Sequence, residues 1–389
     1  MSILECLWNL CKREVQRLTA QPIYLFCMVA APLIGLIFFL SLMRDGLPEN
    51  LPIAVVDMDD SSTSRQLTRL LDSFQILEVR ERTQSFEEAR IEMQRGHIYG
   101  IFYIPEDFAK KTITGKQPKI SYYTNNSFLI AGSLLFRDMK IGATLANASV
   151  GLQTGLAKGY TEDLIMAALQ PIVIDAHPLG NPWLNYSIYL NNTIIPTILE
   201  LMIILVTVFS LGTEMKLGTA REWLQTGRES MILSLTGKLI PHTVIFTLVG
   251  FLCCSILYGY QSYPLANGWP PILLAMLLLV LASQAFGIFL FSLIPVLRLS
   301  LSATCLLGML AFSFSGFTFP ATEMAPALQP LTNLFPVRHY FLIYVDQGLM
   351  GRPFIDSFGS YLFLLGFLIL PFFLLKNLKD AFLYIKYIP

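Results

Sequence analysis

Three groups of residues in this chain have types and spacing suited to chemistry. Val55-Val56-Asp57-Met58-Asp59-Asp60-Ser61 closes an apolar run with two carboxylates one residue apart. Some phosphatases use such a pair as nucleophile and acid around Mg²⁺, because phosphoryl transfer needs in-line attack and neutralised charge. The structural alternative is that Asp59, Asp60 and Ser61 cap a following helix, whose free N–H groups and dipole favour them. The second group, Glu214-Met215-Lys216-Leu217-Gly218-Thr219-Ala220-Arg221-Glu222-Trp223, sets charges around an aromatic. Aromatic plus Arg is the make-up of an interface anchor; a solvated loop is the plain alternative. The third is Glu200, a carboxylate inside an apolar run, where burying a charge costs a few kcal/mol. It reads either as a substrate-path or gate residue, or as a group hydrogen-bonded near the membrane surface.

Other reactive patterns are missing. His97, His177, His242 and His339 are scattered and form no HExxH. Neither Gly115-Lys116 nor Gly237-Lys238 completes the phosphate-binding G-x-x-x-x-G-K-[ST]. Cys6, Cys11, Cys27, Cys253, Cys254 and Cys305 lack disulfide or metal spacing and read as small apolar fillers.

The elements that must position these residues are six apolar runs, at 23–43, 194–211, 239–258, 271–294, 299–319 and 357–375. Each is close to the roughly 20 residues a helix needs to cross the hydrocarbon layer. Lipid offers backbone groups no partner, so the runs are expected to be helical throughout. The chain is 54% hydrophobic and 14% charged, well below the roughly 25% charged of soluble domains. Equal numbers of acidic and basic residues, 27 of each, give no sign of nucleic-acid binding.

Basic residues orient the spans. With the N-terminus inside, the short inner segments carry Lys12, Arg13, Arg17, Lys216, Arg221, Arg228, Lys238, Arg298, Lys376, Lys379 and Lys386. The short outer ones carry only Arg338 and Arg352, a strong positive-inside bias. Residues 44–190 are then outside, and the first run, with no cleavage site after it, reads as an uncleaved anchor.

Residues 1–21 form an amphipathic helix with Leu4, Leu7, Trp8, Cys11, Val15 and Leu18 on one face. Glu5, Asn9, Lys12, Arg13 and Gln16 lie on the other, as in a helix resting in the membrane interface or packed on a partner. The insert alternates strands with helices: strands at 52–56, 76–79, 98–104, 119–123 and 172–176, helices at 62–73, 85–95, 106–112 and 128–157. That pattern predicts an α/β domain. The fold expected is therefore an α-helical polytopic membrane protein of six transmembrane helices, 1 + 5, with an inserted extracytoplasmic α/β domain. Its divisions are 1–21, 22–43, 44–190, 191–376 and a cytoplasmic tail at 377–389. The segment 319–356, cut by Pro320, Pro326, Pro330 and Pro336, is too apolar for a plain loop and dips back toward the membrane.

In this ordered set the chain resembles the permease subunits of the ABC type-2 transporter family that carry a large extracytoplasmic insert after the first span. The resemblance rests on the 1 + 5 layout and on Ile53-Ala54-Val55-Val56-Asp57-x-Asp59-x-Ser61. It also rests on Asn181-Pro182, Glu214-x-x-x-Gly218-Thr219, Gly237-Lys238, Gly316-Phe317-Thr318-Phe319-Pro320, Met324-Ala325-Pro326 and Phe335-Pro336.

The resemblance implies that residues 212–238 hold a coupling helix that docks on a separate ATPase, through Glu214, Lys216, Gly218, Thr219, Arg221, Glu222 and Trp223. Lys216 and Arg221 stand where the common form has acids, which alters the salt bridges expected to that partner. It implies that residues 1–21 are the connecting helix, and that 319–356, with Phe319 and Pro320, is the extracellular gate. Glu200 and Gln284 are candidate path residues; for Gln284, Ser313 and Ser315 the competing role is hydrogen bonding between helices. The expected function is the permease half of an ATP-driven exporter in a bacterial inner membrane, non-enzymatic itself, moving a hydrophobic or amphipathic substrate. ATP and Mg would sit on the ATPase and no cofactor on this chain. Further partners implied are a second permease half, membrane lipid, and a periplasmic adaptor or outer-membrane channel. The rival is a membrane-anchored receptor or envelope-assembly protein that binds a ligand without transport.

Overall fold

The computed structural model describes residues 2–44, 46–114, 116–182 and 184–385. Gly115, Lys386 and the end of the 377–389 tail lie outside the described residues. The chain forms two compact units, one of Met1–Arg44 with Pro178–Pro389, the other Asp45–His177. Residues 178–190, expected in the insert, belong to the first.

The first unit opens with a helix, Ile3–Ala20, started by a reciprocal cap: Ser2 Oγ accepts from the Glu5 N–H, and Glu5 accepts from the Ser2 N–H. Its inward face is not the stripe expected. Cys6, Leu10, Glu14 and Leu18, one turn apart, are buried, while Leu4, Trp8 and Val15 are exposed. The cause lies on the third span, where Gly237 lets Leu10 come so close that a Cβ there would sit 2.6 Å from the Leu10 Cβ. An exposed Leu-Trp-Val stripe remains, the form of a helix lying at a lipid surface.

Among the described residues, six helices are long and apolar enough to cross a membrane: Pro22–Leu42, Tyr186–Lys216, Met231–Tyr260, Trp269–Leu293, Leu297–Phe314 and Phe354–Tyr384, here spans one to six. Span two starts well before residue 194 and ends after 211, because polar residues that interrupt its apolar run are buried with partners. The Asn192 amide donates to the Ile188 carbonyl at 2.6 Å and accepts from the Tyr258 hydroxyl at 2.8 Å. Asn191 donates to the Tyr263 hydroxyl at 3.1 Å. The 212–238 loop therefore shrinks to residues 217–230, which contain a two-turn helix, Ala220–Thr226. Span six is broken at Pro371 by a 3₁₀ piece, Leu370–Leu374.

Between spans five and six, Ala321–Glu323, Gln329–Thr332 and Pro336–Ile343 are short helical pieces that begin at or beside Pro320, Pro330 and Pro336. Val337, Tyr340, Ile343 and Tyr344 join the same core as the spans, so this segment is built into the bundle. Gly316 turns the chain out of span five with φ +84°, and Arg338 Nη1 occupies the space a Cβ would need.

The second unit is a four-stranded sheet of β1 (Leu51–Asp57), β2 (Leu77–Thr83), β3 (Gly100–Ile104) and β4 (Ser121–Thr124), in the order β2-β1-β3-β4. β1 pairs in parallel with both β2 and β3, and β4 runs antiparallel to β3. Ile53 through Val56 are all buried, as a central strand covered on both faces requires. Ile53, Val55 and Phe102 meet Leu67 and Leu71 of helix Ser62–Asp72 and Leu135 and Met139 of helix Leu129–Ala157. Ala54, Val56 and Ile101 face Ala89 of helix Phe86–Gln94.

Residues 172–176 are not the strand expected. Ile172, Val173 and Ile174 are exposed and pair with no strand among the described residues, and a helix the sequence reading omitted, Glu162–Leu169, precedes them. β-branched residues supplied the strand signal, but no edge of the sheet receives them.

Candidate functional site

The carboxylates of the D-x-D group are used by the backbone. Asp57 Oδ1 accepts from the N–H groups of Asp59 and Asp60, both at 3.1 Å, and shapes the turn. Ser61 alone caps helix Ser62–Asp72, through a reciprocal pair with Ser64. Asp59 Oδ2 instead accepts from the Ala109 N–H, at the start of helix Phe108–Ile113. The capping reading thus holds for Ser61 and is corrected for Asp59 and Asp60.

The densest polar chemistry lies where the leader helix crosses the ends of spans two and three. Glu214 ends span two with no exposed surface. Arg13 grips it with two parallel bonds, Nη1 to Oε1 at 2.8 Å and Nη2 to Oε2 at 2.9 Å. This bidentate fork is the strongest geometry available to an Arg–carboxylate pair. Arg17 binds the same carboxylate, and the Thr219 hydroxyl donates to it from the start of the two-turn helix.

Lys238 Nζ bridges Glu214 Oε1 at 2.9 Å and Glu14 Oε2 at 2.7 Å. One turn further along span three, His242 Nε2 lies 2.9 Å from Glu14 Oε1 and donates to it, since a carboxylate only accepts. Burial alone would raise the Glu14 carboxyl, but Lys238 and His242 hold it down at about 2, against an ordinary 4.5. Burial works against the Arg13 charge, yet Glu214 and Glu14 raise its pKa above the ordinary value. Three cations thus stabilise two anions out of water, and removing one partner of such a buried pair costs roughly 3–5 kcal/mol.

The seven loop residues divide sharply. Glu214 and Trp223 face into the chain, which corrects the expectation of an exposed anchor. Trp223 packs edge-on against Phe382 with ring centres 5.3 Å apart, and Lys238 Nζ stands 5.6 Å from its ring. Lys216, Gly218, Arg221 and Glu222 are exposed, and Thr219 is half-buried. Gly218 holds φ +69° with open space where a Cβ would be.

The four path candidates do not converge. Glu200 is buried among spans two, four and five, with Thr197, Phe286, Thr304 and Phe335 beside it, and among the described residues neither carboxyl oxygen has a partner within hydrogen-bond geometry. Gln284 lines a different cavity, between spans three, four and six. Phe319 and Pro320 are exposed.

Sequence reasoning gave Glu14 and His242 no role, and read Arg13 and Arg17 as orienting charges, Arg13 also on the polar face of the leader helix, and Lys238 as an orienting charge within the Gly237-Lys238 pair. The signal was present. Glu14 stands one turn from Leu10 and from Leu18, on a face otherwise apolar, and Lys238 and His242 are four apart on one face of span three.

Six apolar helices, with a polar cluster fastening a surface helix to the turn between two of them, define a multi-pass membrane protein. The chain belongs to the ABC-2 family transporter proteins, whose family model matches residues 22–375. Two curated relatives, from Escherichia coli strain K12 and from E. coli O157:H7, each carry the name probable multidrug ABC transporter permease YbhR. Each is 23% identical over 339 residues, covering 86% of this chain and 87% of the relative.

Proposed function

We propose that this chain is the transmembrane subunit of an ATP-driven exporter whose ATPase is a separate polypeptide. The observation that carries the reading is the loop after Glu214. It offers Lys216, Gly218, Arg221 and Glu222 outward while Glu214 and Trp223 root it in the bundle. A surface that must transmit force needs exposed contact residues on a stiff base, and the buried ion cluster supplies that base.

In this reading the ATPase docks on the exposed loop and on the neighbouring leader helix. Closure of the ATPase around ATP moves the loop, and the cluster makes span two, span three and the leader helix follow as one body. The loop and both chain ends lie in the cytoplasm of a bacterial inner membrane, as the basic residues favour, and the Asp45–His177 unit lies outside. A second permease half completes the pathway, Glu200 and the 319–356 segment form its outer part, and a periplasmic adaptor or outer-membrane channel receives the cargo. The name of the E. coli relatives favours hydrophobic or amphipathic cargo.

The test is co-purification from native membranes, comparing the parent with Arg221→Glu combined with Glu222→Lys. The parent is expected to bring down a nucleotide-hydrolysing partner, and the charge-swapped variant to lose it at least tenfold without loss of folding. A parent that recovers no such partner would sink the proposal.

A further inference from the structure

The sheet of the Asp45–His177 unit has two edges, and they are built differently. β2 carries Glu78, Arg80, Glu81 and Arg82, charges of the kind that keep an edge strand from pairing with another chain. β4 is Ser121-Tyr122-Tyr123-Thr124, uncharged, with Lys119 just before it. The Asn125 N–H donates to the Tyr99 carbonyl at 2.9 Å, so Tyr123 and Ser121, in step with it, also turn their backbone groups toward β3. Tyr122 and Thr124 turn theirs outward, and no backbone hydrogen bond among the described residues meets them. Phe136 rests on Tyr122 with ring centres 5.4 Å apart and remains 48% exposed beside this edge.

The same unit holds a strand-forming run without a sheet. Ile172, Val173 and Ile174 are β-branched and 76%, 83% and 78% exposed. The helix before them seats Leu169 against Gly151. Gly151 lies about 22 Å along helix Leu129–Ala157 from Phe136, the residue that covers Tyr122. Within one chain the run and the open edge therefore stay apart. Antiparallel pairing of Ile172 with Tyr122 would make Ile174 the hydrogen-bonded partner of Ile120. Both isoleucines would then share the sheet face of Tyr122, Ile120 and Phe136. The same register sets Asp175 opposite Lys119, a match of charge.

We propose that residues 172–175 of one copy add to the β4 edge of a second copy, and the reverse, in a two-fold strand exchange. One symmetric contact then satisfies an edge and a run that a single chain leaves unpaired. The inference rests on the second permease half being another copy of this chain, and it needs no ATPase. Halves held in one membrane meet at high effective concentration, so short strands suffice.

Val173 and Ser121 would form a non-hydrogen-bonded pair with Cα atoms about 4.5 Å apart, a spacing that a disulfide bridges. Full-length chains with Val173→Cys and with Ser121→Cys, differently tagged, would be coexpressed, reconstituted in nanodiscs and oxidised. A covalent dimer joining the two tags is expected, at least tenfold above that from Val173→Cys with Thr124→Cys, which faces the other side of the sheet. Ile174→Pro removes a ladder N–H from an exposed segment; it should cut crosslinking about tenfold without shifting the thermal melt. Native mass spectrometry of unoxidised discs counts the chains. A dimer by mass that yields no crosslink would overturn the strand exchange and leave the second-copy reading standing, whereas a monomer by mass would overturn both. A disulfide closed within one chain that carries both cysteines, or equal crosslinking of the Thr124→Cys pair, would also overturn the exchange.

Discussion

Lys238 Nζ stands 2.7 Å from Glu14, so a cation at the start of span three and an anion on the leader helix form a fully buried pair. The same nitrogen reaches Glu214, which makes it the link between three elements distant in sequence. Replacement by Met would leave two carboxylates facing each other out of water. Lys238→Met is expected to destabilise the chain by roughly 3–5 kcal/mol, read as a lowered unfolding temperature in detergent. Combined with Glu14→Gln, the effects should fall short of their sum by about 0.5–3 kcal/mol, as expected of residues in contact.

Acid should loosen the leader helix. The Glu14 carboxyl is depressed from 4.5 to about 2, so its stabilising contribution is fully present above pH 4.5. It is lost as the pH falls from 4.5 through about 2. Unfolding temperatures measured across that window should drop more steeply for the parent than for Glu14→Gln, and parallel curves would count against the pairing.

Gly237 is where the leader helix touches span three most closely. A methyl group there would meet the Leu10 side chain at 2.6 Å. Gly237→Ala is expected to cost about 1–3 kcal/mol by overpacking, with faster proteolysis of residues 3–20. Leu10→Ala in the same chain should restore only part of the protection, since it removes Cγ and Cδ1 but keeps the Cβ that stands nearest.

Trp223 lies on the buried side of its two-turn helix and Arg221 on the exposed side. Trp223→Ala is expected to destabilise the isolated chain by about 3–5 kcal/mol, with no partner present. Arg221→Ala, on the exposed side, should change it by less than about 0.5 kcal/mol. Equal effects in a thermal melt would contradict the division between the two sides of this loop.

The parts of the structure legible in the sequence are those governed by period and composition. Six spans and the β1 to β4 pattern follow from apolar runs and alternation, with ends displaced by a few residues. Span two was cut short because Asn191 and Asn192 look like breakers until the Tyr263 and Tyr258 hydroxyls, far along the chain, hydrogen-bond with them. The ion cluster was legible only in part. Glu14 interrupts an otherwise apolar helix face, but its partners could not be read, because only packing of the leader helix on Gly237 brings Glu14 to Lys238. Residues 172–176 show the converse, a local preference with no tertiary partner.

The central claim is that the Glu214 cluster carries motion between an ATPase and the spans. The direct measurement is ATP hydrolysis by the complex reconstituted in vesicles, compared with the ATPase alone, for the parent and for Glu214→Gln. The account expects the variant chain to retain the ATPase at parental stoichiometry yet lose most of the permease-dependent change in hydrolysis rate. A Glu214→Gln complex that keeps the full permease-dependent rate would contradict it.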